Sequence, residues 1–156
     1  MKIQRETCPA ARFIGKKYTG APNWDEWWTN GWFQRLEALP RLPFNGDACI
    51  GGVHVVNGAP ERWIGMLFPA DTEVPAEFEY TDIPAMSYAV CALYDREGSG
   101  RFYTMETHNM CLSALSAHGF RRKEDDWCLE RYACPGFTTP DSQGNVVLDY
   151  AISIDN

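Results

Sequence analysis

Two stretches of this sequence share one pattern: Glu6-Thr7-Cys8-Pro9-Ala10-Ala11-Arg12-Phe13-Ile14-Gly15 and Thr81-Asp82-Ile83-Pro84-Ala85-Met86-Ser87-Tyr88-Ala89-Val90. Each stretch runs from a polar pair through an apolar residue and Pro-Ala into a segment with strand character. They lie about half the chain length apart, and the elements that follow them also repeat. Similarity at such a spacing is typical of an internally duplicated unit.

A helix is predicted after the first stretch, and two strands after that helix. Asn23 can cap the helix, with Glu26 three residues later as in a capping box. One helical face carries apolar side chains at a spacing of 3.6 residues: Trp24, Trp28, Trp32, Leu36 and Leu39. Prolines at 40 and 43 end the helix, and the strand-like runs 52–56 and 62–68 flank a hairpin-type turn.

The same order of elements is predicted after the second stretch. A helix carries Met105, His108, Cys111, Leu112 and Leu115 on one face, and His118-Gly119 ends it. Strand-like runs 127–132 and 146–152 follow. We therefore predict one α+β domain over residues 1–156, with repeat one at about 1–70 and repeat two at about 77–156. The two βαββ repeats form a single curved antiparallel sheet with two helices on its outer face. We expect the face that the helices leave bare to hold a central ligand groove.

Glu130 is the main candidate for chemistry. Neighbouring residues in a strand point to opposite faces, so Cys128, Glu130 and Tyr132 face the groove if Leu129 faces the helices. Periodicity alone leaves two interpretations open, because a carboxylate on an edge strand would simply meet water. The aromatic residues expected nearby favour the groove: Trp63, Tyr88, Tyr103 and Tyr132. Such surroundings suit a cationic aromatic ligand, and they would raise the pKa of Glu130 toward general-base work.

The tryptophans are predicted to divide between core and groove. Trp24, Trp28 and Trp32 share the helical stripe, which favours core packing. Trp27 lies off that stripe and is predicted at the groove rim. In the strand 62–68, alternation predicts one set facing the groove (Trp63, Gly65 and Leu67) and one set facing inward (Ile64, Met66 and Phe68).

Charge and hydropathy argue against several classes of partner. The net charge is −7, with 14 basic against 21 acidic residues, so direct binding to nucleic acid is not expected. The basic run at 121–123 continues into an acidic run at 124–126, which indicates a solvated turn. No stretch approaches the roughly 20 apolar residues of a membrane span, and the N-terminus lacks the apolar run of a secretory leader. A cytoplasmic location and no membrane partner are therefore predicted.

No metal or cofactor is expected. The six cysteines form no CxxC pair and are predicted to be buried free thiols. His108 and Cys111 have the spacing of half a metal site, but both lie in an apolar stripe, which favours packing. The chain also lacks a Gly-x-Ser-x-Gly nucleophile elbow and a glycine-rich phosphate loop followed by Lys.

Four segments together resemble the GyrI-like domains, also called the effector-binding domains of bacterial transcription activators. They are residues 13–20, 63–66 (Trp63-Ile64-Gly65-Met66), 78–90 and 129–132 (Leu129-Glu130-Arg131-Tyr132), and the resemblance covers nearly the whole chain. It implies a pair of strand–helix–strand–strand units around a groove that binds diverse organic compounds, often cationic and aromatic. It also implies a groove glutamate on the strand after the second helix, which is the position of Glu130. Residues 101–108 depart from the usual family pattern.

The resemblance implies a stand-alone member, because this length leaves no room for the helix-turn-helix part that other members carry. The first functional hypothesis is a binding protein for small aromatic, possibly cationic, compounds that uses Glu130, Tyr132, Trp63, Tyr88, Trp27 and Tyr103. The alternative is a hydrolase of electrophilic cyclopropanoid toxins in which Glu130 activates water. A third hypothesis is an interaction protein that modulates gyrase or another, unknown protein partner.

Overall fold

The computed structural model describes residues 1–44 and 47–156. Over these residues the strands are β1 Lys2–Cys8, β2 Ala11–Tyr18, β3 Cys49–Val56, β4 Ala59–Pro69, β5 Glu79–Ile83, β6 Met86–Arg96, β7 Cys128–Tyr132 and β8 Asn145–Ile154. The helices are α1 Trp24–Thr29, α2 Trp32–Glu37 and α3 Met105–Ala117, with a 3₁₀ turn at Gly100–Tyr103 before α3. None of the described helices is long and apolar enough to cross a membrane.

All eight strands belong to one sheet in the order β1-β6-β8-β7-β3-β4-β2-β5, and every neighbouring pair is antiparallel. This confirms the predicted α+β class with a single antiparallel sheet. The sequence patterns predicted six strands, and the two additional ones are β1 and β5. They end at Cys8 and Ile83, directly before Pro9 and Pro84. Proline has no backbone N–H and a fixed φ, so each strand stops there and the chain changes direction.

Strands β1 and β5 exchange sides. β1 pairs with β6 rather than with β2, the next strand in the chain, and β5 pairs with β2 rather than with β6. Each half of the sheet therefore contains one strand that comes from the other half of the sequence.

The first predicted helix is two helices separated by Gly31, which adopts a left-handed backbone with φ of 65°. This turn changes the direction of the helical face, so the stripe extrapolated from Trp24 to Leu39 is wrong. The residues that α1 and α2 bury are Trp27, Phe33 and Leu36. Trp28, which was predicted in the core, is 64% exposed.

Both α1–α2 and α3 pack on the same face of the sheet. The first pair of helices covers the β2–β4 side, where Ile14, Ile64, Met66 and Phe68 form a buried cluster with Trp27 and Leu36. Helix α3 covers the β6–β8 side through Cys111 and Leu115, which pack against Cys91, Leu93, Leu148 and Ile152. The inward direction predicted for Ile64, Met66 and Phe68 agrees with this packing.

The opposite face of the sheet is closed by its own side chains. Its cluster includes Phe13, Trp63, Leu67, Tyr88 and Leu129. Phe13 of β2 stacks on Trp127, at the start of β7, with ring centroids 5.7 Å apart, although β3 and β4 lie between those strands. Contact across that span requires a strongly curved sheet, and this face is its concave side. The bare face therefore holds a packed core, and our expectation that it forms the ligand groove was wrong.

Arg131 is the charged residue within this concave core. Its guanidinium pairs with Glu6 of β1 at 2.7 Å and Asp149 of β8 at 2.9 Å, and it donates to the Phe44 carbonyl at 3.0 Å. Burial alone would raise the pKa of Glu6, but hydrogen bonds from Arg131 and Gln4 outweigh it and lower that pKa. β1 lies three strands from β7 in the sheet, so this pair also depends on the curvature.

Gly15 and Gly65 face each other where β2 crosses β4. A Cβ on Gly15 would lie 1.9 Å from the Ile64 carbonyl oxygen, and one on Gly65 would lie 2.1 Å from the Ile14 carbonyl oxygen. Backbone atoms cannot move aside as a flexible side chain does, so the two strands approach this closely only because neither residue has a side chain.

We expect Gly65→Ala to lower the free energy of unfolding by about 3 kcal/mol or more, because the added methyl group forces β2 and β4 apart. Gly20→Ala is the matched control, since a Cβ there has no atom within 4 Å. Its effect should stay within about 0.5 kcal/mol. Urea unfolding of both variants measures the difference, and equal stability of the two would contradict the close approach.

Candidate functional site

A pocket of about 630 Å³ opens between the α1 side and the α3 side, on the helix-bearing face. A helix is about 10 Å wide and covers roughly two strands spaced about 4.8 Å apart, so two helical layers leave the centre of an eight-stranded sheet uncovered. The central strands β7 and β3 form the floor. The lining consists of Pro22, Trp24, Trp28, Cys49, Gly51, Gly52, Val53, Arg62, Trp63, Tyr103, Cys128, Glu130, Tyr132, Phe137, Thr138 and Tyr150.

Gly51 shapes the floor of this pocket. It lies directly opposite Glu130 on the neighbouring strand. A Cβ at this position would lie 3.0 Å from Glu130 Oε2 and 3.1 Å from Trp24 Cζ2. The absence of a side chain at Gly51 therefore allows the carboxylate and the indole ring to come together over the sheet.

Glu130 is half-buried at the centre of the pocket lining. Its Oε2 accepts a hydrogen bond of 2.5 Å from the Tyr132 hydroxyl. Burial raises the pKa of Glu130, and the Tyr132 hydrogen bond offsets that rise only in part. Among the described residues, Glu130 is the sole carboxylate in the lining of this pocket, and it has no ion-pair partner. A desolvated carboxylate without a countercharge favours either a proton or a cationic ligand.

Aromatic rings surround this carboxylate. Tyr132 packs edge-on against Trp24 at 5.1 Å and against Phe137 at 4.8 Å between ring centroids. Burial, followed by the charge of Glu130, raises the pKa of Tyr132, so its hydroxyl stays protonated and donates. Trp28 and Tyr103 are each more than half exposed and form part of the rim. The pocket is thus an aromatic enclosure around one acidic group.

The structure places four of the six predicted ligand residues in the pocket lining. Glu130, Tyr132 and Tyr103 present their side chains there. Trp63 only borders the pocket: its ring packs against Phe13 at 5.7 Å, and its indole N–H donates to Glu61 at 2.9 Å. Trp63 and Leu67 thus lie on the concave face rather than toward the pocket as predicted, because the pocket is on the other face of the sheet.

Tyr88 and Trp27 do not reach the pocket. Tyr88 is 1% exposed on the concave face, where its ring lies 5.3 Å from that of Phe44. Trp27 is fully buried beneath α1, and its indole N–H donates to the Tyr18 hydroxyl at 3.0 Å. Their predicted places in the groove are therefore wrong, since one belongs to the opposite face and the other to the core under the helices.

Several pocket residues were missed from the sequence. Trp24 and Trp28 were assigned to the core because the helical stripe was extended through Gly31. The dipeptide Asn30-Gly31 is a turn signal that would have broken that stripe. The orientation of Leu129 was also reversed, since it faces the concave core while Glu130 faces the helices. Glu130 lies in the pocket because the pocket is on that same face. Phe137 and Tyr150 carry no comparable signal, since only the tertiary fold brings them to the site.

A second chamber of about 380 Å³ adjoins the first. The two chambers share Arg62, Tyr103, Glu130 and Tyr150 as part of their linings. The second chamber is more polar and adds His54, His108, Arg122, Asp125 and Asp126. Glu130 therefore stands at the junction between an aromatic chamber and a polar one.

His108 and Cys111 have separate environments in the structure. His108 Nδ1 lies 2.7 Å from the Tyr150 hydroxyl at the wall of the second chamber. Burial, followed by the positive charge of Arg122, lowers the pKa of His108. Cys111 is fully buried next to the Cys91 thiol. In residues 1–44 and 47–156, no group of three or more His, Cys, Asp or Glu side chains is arranged to hold a metal ion.

Comparison with known proteins yields structural matches. No family model and no curated protein sequence matches the chain. SAV2435, solved with bound tetraphenylphosphonium, superimposes with a TM-score of 0.72 at 12% identity, covering 100% of this chain and 95% of that one. A putative bacterial transcription regulation protein from Staphylococcus aureus MU50 gives 0.66 at 10% identity, with coverage of 100% and 99%.

The C-terminal domain of EcmrR gives a TM-score of 0.61 at 7% identity, with coverage of 99% of this chain and 98% of that domain. In the EcmrR–DNA complex, the matched part is 57% of the EcmrR chain. At identities this low, the TM-scores and the nearly complete coverage establish a shared fold. The chain therefore has the fold of the GyrI-like effector-binding domains, as the resemblance in its sequence predicted.

Proposed function

We propose that this protein binds lipophilic organic cations in the aromatic pocket, with Glu130 as the countercharge. The observation that carries the proposal is the half-buried carboxylate of Glu130, which has a single hydroxyl donor and no basic partner among the described residues. The complex of SAV2435 with tetraphenylphosphonium supports it, because that protein shares the fold and its ligand is an aromatic cation.

The physical argument combines charge and surface. A lipophilic cation carries a weakly hydrated charge, so it loses little hydration energy when it enters the pocket and gains the interaction with Glu130. Rings such as those of Trp24, Tyr132 and Phe137 add apolar contact, and a cation over a ring face gains further attraction. The cavity volume lies within the roughly 300–1,000 Å³ of small-molecule sites.

We expect Glu130→Gln to weaken binding of methyltriphenylphosphonium by about tenfold or more, since two opposite charges about 6 Å apart at an effective dielectric constant of about 20 attract by about 3 kcal/mol, and tenfold corresponds to about 1.4 kcal/mol. Binding of 1,1,1-triphenylethane, the neutral carbon isostere without a hydrogen-bonding group, should change little. Calorimetric titration of both ligands measures the effect. The control is Glu124→Gln, which removes the same charge from an exposed position. If Glu130→Gln binds the phosphonium as tightly as Glu124→Gln does, Glu130 is not the countercharge.

The pH dependence of binding follows from the raised pKa of Glu130. Protons and the ligand cation compete for one carboxylate, so affinity should fall about tenfold per pH unit once the pH drops below that pKa. The onset should lie above the ordinary carboxyl value of 4.5, because burial raises the pKa in the free protein. Titrations of methyltriphenylphosphonium from pH 8 to pH 4 test this, with 1,1,1-triphenylethane as the pH-independent reference.

The contribution of Glu130 to the free energy of unfolding of the ligand-free protein should be less favourable at neutral pH than at acidic pH. A carboxyl with a raised folded-state pKa contributes stability that is present below its unfolded pKa and lost as the pH rises through its folded pKa. We therefore expect ligand-free Glu130→Gln to unfold at a higher urea concentration than wild type at pH 7, with the difference vanishing near pH 4. A variant less stable than wild type at pH 7 would show that Glu130 supports the fold.

Hydrolysis in the same pocket is the second candidate function. The raised pKa of Glu130 suits a general base, and the Tyr132 hydroxyl beside it can donate to a leaving group. The reaction would add water across a strained carbon–carbon bond of a cyclopropanoid substrate. Product formation that Glu130→Gln abolishes would support this function, whereas tight binding with the compound recovered intact would exclude it for that substrate.

The gyrase-modulating hypothesis stays a prediction from the sequence. It concerns an outer surface and not the pocket, and the acidic net charge is the feature on which it rests. Retention of gyrase on immobilised protein, undiminished by Glu130→Gln, would separate it from the two pocket functions.

A further inference from the structure

Two arginines line the second chamber, and cation binding next to Glu130 does not account for either of them. Arg62 projects from β4 and lines both chambers, while Arg122 precedes β7 and lines the second chamber only. Both side chains are half-buried. Neither guanidinium has an ion-pair partner within the part of the chain that the structure describes. A partly desolvated guanidinium without a carboxylate is unfavourable unless an anion or water fills the space before it.

The acidic residues of the second chamber do not supply that partner. Asp126 pairs with Lys123 at 3.2 Å and accepts the Trp127 backbone N–H at 2.9 Å. Asp125 is exposed on a left-handed turn with φ of 60°. Glu130 stands at the junction and is held by Tyr132. The two arginines thus remain available to a group that enters the chamber.

Arg122 also affects the groups around it. Burial raises the pKa of Cys128, and the nearby charge of Arg122 offsets part of that rise. Burial lowers the pKa of His108, and Arg122 lowers it further. A neutral His108, hydrogen-bonded to Tyr150, adds no positive charge of its own to this wall of the chamber. The second chamber therefore has a positive charge of its own at Arg122, and the boundary that it shares with the aromatic chamber carries both Arg62 and Glu130.

We propose that the second chamber is a carboxylate subsite, and that the natural ligand class is aromatic zwitterions. The ligand's cationic, ring-bearing part occupies the aromatic chamber next to Glu130, and its acidic group occupies the second chamber against Arg62 and Arg122. This inference rests on the proposed function and extends it. The ligand carries two opposite charges, and Glu130 and the arginines determine which end of the ligand enters which chamber. A planar guanidinium matches a carboxylate with two parallel hydrogen bonds, so the acid gives the ligand a direction in the site.

The net charge of the protein helps to distinguish zwitterion binding from the binding of simple cations. A net charge of −7 favours simple cations at long range and gives no such advantage to a zwitterion. At about 0.15 M salt the Debye length is about 8 Å, so long-range effects are small and local contacts dominate. Tighter binding of a zwitterion under these conditions must therefore come from groups close to its acid.

The experiment uses three triphenylphosphonium probes that share one head group. Their tails are 4-carboxybutyl, its methyl ester, and n-pentyl. We expect wild type to bind the acid roughly tenfold more tightly than the ester or the pentyl compound, because a charge-assisted hydrogen bond contributes about 1.5–3 kcal/mol. Shortening the tail to 2-carboxyethyl should remove most of this advantage, since the acid then stays in the aromatic chamber.

Substitutions of the two arginines test where the carboxylate of the probe binds. Arg122→Gln and Arg62→Gln should each reduce the advantage of the acid over the ester. Affinity for the pentyl probe is measured for each variant as the reference, because Arg62 also lines the aromatic chamber. Arg121→Gln is the matched control, because it is adjacent in sequence, carries the same charge and is 86% exposed. It should keep the full advantage. Thermal unfolding checks that the variants fold, and should Arg122→Gln fail to fold, Arg62→Gln decides.

The outcomes separate the two proposals. If the pentyl and ester probes bind and the acid binds no more tightly, the carboxylate subsite is wrong while cation binding stands. An advantage of the acid that survives in both Arg62→Gln and Arg122→Gln also overturns the subsite. If none of the three probes binds, the proposed function fails, and the zwitterion inference fails with it.

Discussion

The buried contact of Arg131 with Glu6 and Asp149 holds the sheet in the shape on which the rest of the structure depends. It ties β7 to β1, three strands away, and it occurs only when the sheet is strongly curved. Curvature closes the concave face with the protein's own side chains. The pocket lies on the opposite face, where the helical layers diverge above the central strands. The ion pairs of Arg131 and the stacking of Phe13 on Trp127 both bridge the concave face, so the open pocket is on the other side of the sheet.

Glu130 and Arg131 are adjacent charged residues of β7, and their surroundings differ because they point to opposite faces of the sheet. Arg131 points into the core and donates to two carboxylates and a carbonyl, with only its Nε left without a partner among the described residues. Glu130 points into the pocket and accepts a hydrogen bond from one hydroxyl. A desolvated carboxylate is costly unless basic groups or several hydrogen-bond donors compensate its charge. The incomplete partner set of Glu130 is therefore more informative than its residue type.

Much of the fold could be predicted from the sequence, because alternation along strands and the Pro-Ala breaks act locally. The strand around Glu130, the hairpin at 57–58 and the end of α3 at His118 follow from such signals. The face that holds the pocket could not, since curvature depends on contacts such as that of Phe13 with Trp127, far apart in the chain. The positions of Trp24 and Trp27 failed for a smaller reason. The predicted stripe was drawn straight through the left-handed residue Gly31, whereas the helix breaks there, and α1 buries Trp27 on the side where α2 buries Leu36.

The exchange of β1 and β5 has a consequence for how the molecule is made. While the chain is being synthesised, β2, β3 and β4 emerge early, but the partner that completes their edge, β5, emerges only in the middle of the chain. β1 in turn waits for β6 before it can pair. Neither half is a finished folding unit, so the molecule acquires its structure as a whole.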